Sequence, residues 1–150
     1  MTTAKLREIV AKAIANPDAY PDLEVSYLRG HDLSGTTHFT VDAAGDFKLE
    51  SSVTRDEQTH SWSGKLPVDD RNAFLRAIES TRLLDVPSST RNIGDDEEPI
   101  IVTVREGKLV HEVRVWHDDA AAAGLAPFEA HVLTLAKRVS AGEVLTIPAR

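Results

Sequence analysis

Residues 39–49 read Phe39-Thr40-Val41-Asp42-Ala43-Ala44-Gly45-Asp46-Phe47-Lys48-Leu49. On either side of a short loop, apolar residues alternate with polar ones, the period of a strand with one face turned inward. Gly45 is free to take the left-handed conformation that a three-residue hairpin loop needs. Pairing Val41 with Phe47 and Phe39 with Leu49 puts all four on one face. The stretch therefore predicts an antiparallel hairpin, and with it a sheet that seeks cover on one side.

The same alternation extends outward. Upstream, Leu23, Val25 and Tyr27 alternate with Glu24 and Ser26. Downstream, Val53 continues the inward set, and a further strand is expected near His60-Ser61-Trp62-Ser63, ending at Gly64. A second hairpin is expected from Ile100–Val104 and Leu109–Trp116, turning through Arg105-Glu106-Gly107-Lys108. With Val104 facing Leu109, Val102 faces His111 and Ile100 faces Val113; Val115 and His117 follow on the same face.

Three helices frame these strands. Leu6, Ile9, Val10, Ala13 and Ile14 recur at helical spacing over Thr3–Ala15, with Thr2 or Thr3 as cap and Asn16-Pro17-Asp18 as stop. A second helix starts at Leu66-Pro67-Val68-Asp69-Asp70 with Asp69 as its expected cap. Phe74, Ala77, Ile78 and Thr81 mark its buried side. Leu83, Leu84 and Val86 close the helix onto the core, and Pro87 stops it. Asp118-Asp119 opens an alanine-rich turn that Gly124 closes. The last helix runs from Pro127 to Ser140, with Phe128, Val132, Leu135, Ala136 and Val139 as its stripe. The expected fold is a single α+β domain over residues 1–150, in the order α-β-β-β-(β)-α-β-β-α. Its antiparallel sheet has about five to six strands in two hairpin groups. Three helices cover one sheet face, or a curved sheet cradles one of them.

Composition narrows the function. The 150 residues contain no cysteine, which excludes disulfides, thiolate zinc sites and cysteine nucleophiles. Neither a signal-like apolar stretch nor a run near the ~20 apolar residues of a membrane span is present. A cytoplasmic, bacterial protein is expected. The formal net charge of -7 disfavours a phosphate backbone or an anionic membrane. Arg71, Arg76 and Arg82 are interspersed with Asp70 and Glu79, so they form no basic patch. No nucleic-acid or membrane partner is expected.

Catalytic and ligand-binding patterns are weak. Six histidines are present, without the H-x-x-x-H or H-E-x-x-H spacing of a metal site. His111 and His117 share a face but stand roughly 20 Å apart along a straight strand, at ~3.3 Å per residue. His31 and His38 flank the loop at Asp32-Leu33-Ser34-Gly35. Asp95-Asp96-Glu97-Glu98 lacks the spacing of a calcium loop and reads as a solvated run or an electrostatic contact surface. Ser34-Gly35 and Ser63-Gly64 lack the G-x-S-x-G frame, and the glycines are too scattered to cradle a phosphate. No cofactor and no metal are expected.

Aromatic residues make up only 5% of the chain, so its two tryptophans carry weight. In the second hairpin Trp116 projects opposite Val113 and Val115, on the side of Arg114. Exposed, the pair resembles a contact hot spot; the other placement packs Trp116 under the Asp118–Pro127 segment. Trp62 is expected in or against the core.

These features predict a non-catalytic protein–protein interaction domain: an adaptor, a regulator or an immunity-type inhibitor. Trp116, Arg114, Asp95, Asp96, Glu97 and Glu98 are its candidate contact residues. Its partner is another protein, with a basic surface where acidic loops speed association. The alternatives are a small-molecule-binding or enzymatic α+β cup, with His111, His60 and Tyr27 pointing into a pocket, and a structural subunit of a larger assembly.

Overall fold

The computed structural model describes residues 2–31, 35–52, 59–95 and 97–141. Val53, Asp96 and Asp32-Leu33-Ser34 lie outside the described residues. The chain runs through α1 (Thr2–Ala15), β1 (Glu24–His31), β2 (Gly35–Asp42), β3 (Asp46–Ser52), β4 (His60–Lys65), α2 (Val68–Ser80), β5 (Pro99–Glu106), β6 (Leu109–Trp116), α3 (Ala120–Ala123) and α4 (Ala126–Val139). The strands form one sheet in the order β4-β3-β2-β1-β5-β6, each neighbouring pair antiparallel. The alanine-rich turn closed by Gly124 winds far enough to make the short α3, one helix more than the sequence predicts.

The first hairpin forms in the predicted register, Val41 opposite Phe47 and Phe39 opposite Leu49. Gly45 takes φ 93, and its N–H donates to Asp42 O across the loop. The second hairpin differs. Val104 faces His111, Val102 faces Val113 and Ile100 faces Val115. Its turn is only the two residues Gly107-Lys108, because Gly107 takes φ 57 and lets Glu106 pair with Leu109. The tighter turn moves the register by two residues. Two is the strand period, so every side chain keeps its predicted face.

The helix starts need correction too. α1 begins at Thr2, which puts Thr2 and Thr3 inside the helix rather than before it. Pro67 occupies the N-cap position of α2 and makes no side-chain cap. Asp69 and Asp70 lie in its first turn, where the helix dipole favours their charge. α2 ends at Ser80, short of the expected stop at Pro87, because Arg82, at φ 56, leaves the helix and leads into a single 3-10 turn, Leu83–Asp85.

One core lies between the sheet and the helices. From the strands come Val25, Tyr27, Phe39, Val41, Leu49, Ile100, Val102, Val104, Val113 and Val115. The helices return Leu6, Ile9, Phe74, Ile78, Phe128 and Val132. A chain of aromatic contacts joins sheet to helices, with ring centroids 6.2 Å apart for Phe39 and Phe74 and 5.9 Å for Phe74 and Phe128. Each of these strands sends its next residue to the opposite face, which no described helix covers.

Sequence periodicity hides one member of this core. Arg71 sits on the buried side of α2, only 4% exposed. Its Nε donates to Ala43 O at 2.7 Å, its Nη1 to Ile14 O at 3.2 Å, and its Nη2 to Ala13 O. The guanidinium therefore closes the C-terminal end of α1, where carbonyls lack helix partners, and ties it to the β2–β3 loop. A Cβ added at Gly45 would stand 3.3 Å from Arg71 Cγ, so the glycine serves both the turn and the passage of this side chain.

Phe74→Ala and Phe128→Ala are each expected to lower stability by about 3–5 kcal/mol. Arg71→Leu is expected to cost roughly 2–4 kcal/mol, from buried carbonyls left without donors. Urea unfolding followed by circular dichroism measures all three.

Candidate functional site

The inner face changes character toward one end of the sheet. Ser51, Thr37, Arg29, Ile100 and Val115 line up across five strands in one row. Arg29 is in phase with Val25 and Tyr27, so the ladder that buries those two buries the arginine as well, to 5% exposure. Its Nε donates to Glu98 Oε2 at 2.8 Å and its Nη1 to Glu129 Oε2 at 3.2 Å. Its Nη2 stands 3.0 Å from His117 Nδ1. A guanidinium only donates, so Nδ1 accepts and the His117 proton sits on Nε2. Tyr27 Oη donates to the same Glu129 oxygen at 2.6 Å.

This cluster holds one cation between two carboxylates. Burial and the neighbouring Glu129 charge push the Tyr27 hydroxyl well above its ordinary range, so it stays protonated as a donor. Burial opposes the Arg29 charge, but the Glu98 hydrogen bond and the Glu129 charge outweigh it and leave the guanidinium above its usual pKa. Such a cluster locks β1, α4 and the segments on either side of β5 and β6 together.

The acidic run 95–98 is therefore not uniformly solvated. Glu98 turns inward to Arg29, with 13% of its side chain exposed. Glu97 accepts from Arg91 Nη1 at 2.7 Å and from Gly94 N at 2.8 Å. Arg91 also meets Asp119 at 3.1 Å, so the loop is strapped to the turn after β6. The Arg91 hydrogen bond foremost, then that of the Gly94 amide, holds the Glu97 carboxyl down at about 2. Asp95 is exposed.

Trp116 and Arg114 lie on the outer face, as the alternation predicts. Trp116 is half-buried. Its indole N–H donates to Arg91 O at 2.8 Å, so the segment before β5 reaches its edge. Arg114 is half-exposed and stands 3.3 Å from Glu112 on the same strand. Trp62 packs against the core margin, its ring 6.2 Å from that of His60 and stacked on it. His111 faces inward at the sheet end, half-buried.

Clefts open among the described residues. One of 570 Å³ runs between α1 and α2 over Val10, Ile14, Leu75 and Ile78. One of 240 Å³ lies on the outer sheet face between Glu24, Ser26, His38, Thr40, Thr103 and Arg105. There Ser26 Oγ and His38 Nε2 share a hydrogen bond of 3.0 Å. A third, of 90 Å³, lies beside His131 between α2 and α4. His111, His60 and Tyr27 line none of these three. Among the described residues no three His, Asp or Glu side chains come close enough to hold a metal ion, and no helix is long and apolar enough to cross a membrane. No protein-family model matches the chain, and a search of curated proteins returns no match.

Glu129→Leu is expected to cost about 3–5 kcal/mol, because it leaves Arg29 short of a buried counter-charge. Tyr27→Phe is expected to cost only about 1–1.5 kcal/mol. Chemical denaturation separates the two. The Glu97 carboxyl is lower in the folded chain than its unfolded value near 4.3, so the strap is complete above that pH and lost as pH falls toward about 2. Arg91→Ala is expected to return Glu97 to the ordinary carboxylate range. A carbon-13 NMR titration of its side chain reads this directly, with Trp116 emission as a second reporter.

Proposed function

We propose that the chain is a non-catalytic protein–protein interaction domain, an adaptor, regulator or immunity-type inhibitor of a bacterial cytoplasm, and that its partner seats on the uncovered face of the sheet. The observation that carries this reading is the one-sided cover. Along that bare face Leu28 and Ile101 are neighbours in register, and Trp116 is paired with Pro99 one row away. A contiguous apolar strip rimmed by charge suits protein contact better than solvent. On the other side, Arg29 is committed to Glu98 and Glu129. The acidic excess suits a basic partner wherever contact extends past the sheet.

Ile101→Asp places a charge in the middle of the strip without touching the core. A tagged chain is expected to recover a stoichiometric protein partner, a second untagged copy included, and Ile101→Asp is expected to weaken that recovery at least about tenfold. Recovery of no partner, or equal recovery by both chains, overturns the proposal.

A further inference from the structure

The charges on the bare face follow a pattern about β1. In one row, Glu24 of β1 has Asp42 beside it on β2 and Arg105 beside it on β5. In the next row, Ser26 is the centre, Lys48 stands two strands away on β3, and Glu112 two strands away on β6. In the third, Leu28 is the centre, with Glu50 on β3 and Arg114 on β6 at the same distance. Three charges on one side of β1 thus meet their opposites at equal offsets on the other.

That arrangement is self-complementary. A two-fold axis lying in the face along β1 exchanges left and right and keeps each row. It sets Lys48 over the partner's Glu112, Glu50 over the partner's Arg114, and Asp42 over the partner's Arg105. Within the chain, Lys48 and Glu50 are 3.8 Å apart and Glu112 and Arg114 are 3.3 Å apart. In the pair of copies these become quartets in which every charge has two neighbours of opposite sign. At the centre Leu28 meets the partner's Leu28, and Ile101 meets the partner's His38. Two contacts are adverse: Glu24 meets the partner's Glu24 on the axis, with Arg105 beside each, and Asp46, at the β3 end of the first row, meets the partner's Val110. Aligned sheets pack about 30° apart, so the axis tilts about 15° from β1, a displacement that Lys, Arg and Glu side chains span. Five strands at ~4.8 Å spacing and four rows give about 600 Å² per copy. That places the pair at the weak end of specific interfaces, which total about 1,200–2,000 Å².

We propose that the occupant of the bare sheet face is a second copy of this chain, held in a symmetric dimer whose two-fold axis runs along β1. This rests on the reading that the face docks protein, and it names the partner.

Sedimentation velocity over a concentration series tests it with exposed residues whose exchange leaves the core intact. The wild type is expected to dimerise, more weakly as salt rises. Arg114→Glu alone and Glu50→Arg alone are each expected to raise the dimer dissociation constant at least about tenfold, since each change counts twice in a symmetric pair. The double variant Glu50→Arg/Arg114→Glu is expected to restore it, and Glu24→Gln is expected to tighten the dimer. A chain monomeric at every concentration overturns the dimer. So does a dimer indifferent to these changes, which would use another surface. If the chain is monomeric yet a different protein is captured and lost with Ile101→Asp, the dimer fails and the docking face stands. If Ile101→Asp changes neither, both fail.

Discussion

β1 is hydrogen-bonded on both sides, to β2 over eight residue pairs and to β5 over six. That double ladder is the constraint on which the rest depends. A strand sends successive side chains to opposite faces, so fixing β1 between two partners fixes the face of every residue in five strands. Val25, Tyr27 and Arg29 go in together, and Ser26 and Leu28 go out together. The buried polar cluster and the charge pattern outside are two consequences of one register. Moving β1 by a single residue would expose Tyr27 and bury Glu24.

Two buried arginines hold the helices to this sheet by different means. Arg71 meets backbone carbonyls of α1 and the β2–β3 loop, and so joins residues 58 positions apart. Arg29 meets carboxylates, one of them 100 positions away on α4. In each case the charge is tolerable inside only while all its partners stay in place. Such groups add little net stability, but the unfavourable state they create when a segment shifts narrows the chain to one arrangement. That division of labour ties α4 to β1, and α1 and α2 to the β2–β3 loop.

Much of the fold was legible. Alternation in 39–49 and 100–116 and the helical stripes led to an antiparallel sheet of about five to six strands with three helices, because burial of one face obeys a simple period. Caps and turn lengths were less legible. Gly107-Lys108 makes a two-residue turn where a four-residue one was expected, and the shift of two preserved the faces. Arg114 and Trp116 were placed on the outer face correctly for the same reason. The inward roles of Arg29, Glu98, Glu129 and Arg71 were missed. A signal for Arg29 existed in its phase with Val25 and Tyr27, and for Glu129 in its place beside Phe128. Charged residues on an apolar phase look like errors of alternation until their partners are known.

The amino-acid order alone determined which residues alternate, where α1 and α4 begin and end within a residue or so, and that no thiol chemistry is available. Those are local properties, set by backbone geometry and side-chain type over a few residues. Only the tertiary structure decided which strands are neighbours, that β5 lies beside β1, and that Glu98 and Glu129 meet one arginine. The charge pattern on the bare face belongs to that second class, since Glu50 and Arg114 acquire a relation only when β1 stands midway between them. Long-range pairing depends on how the whole chain shares a single core, and no short window of sequence carries that information.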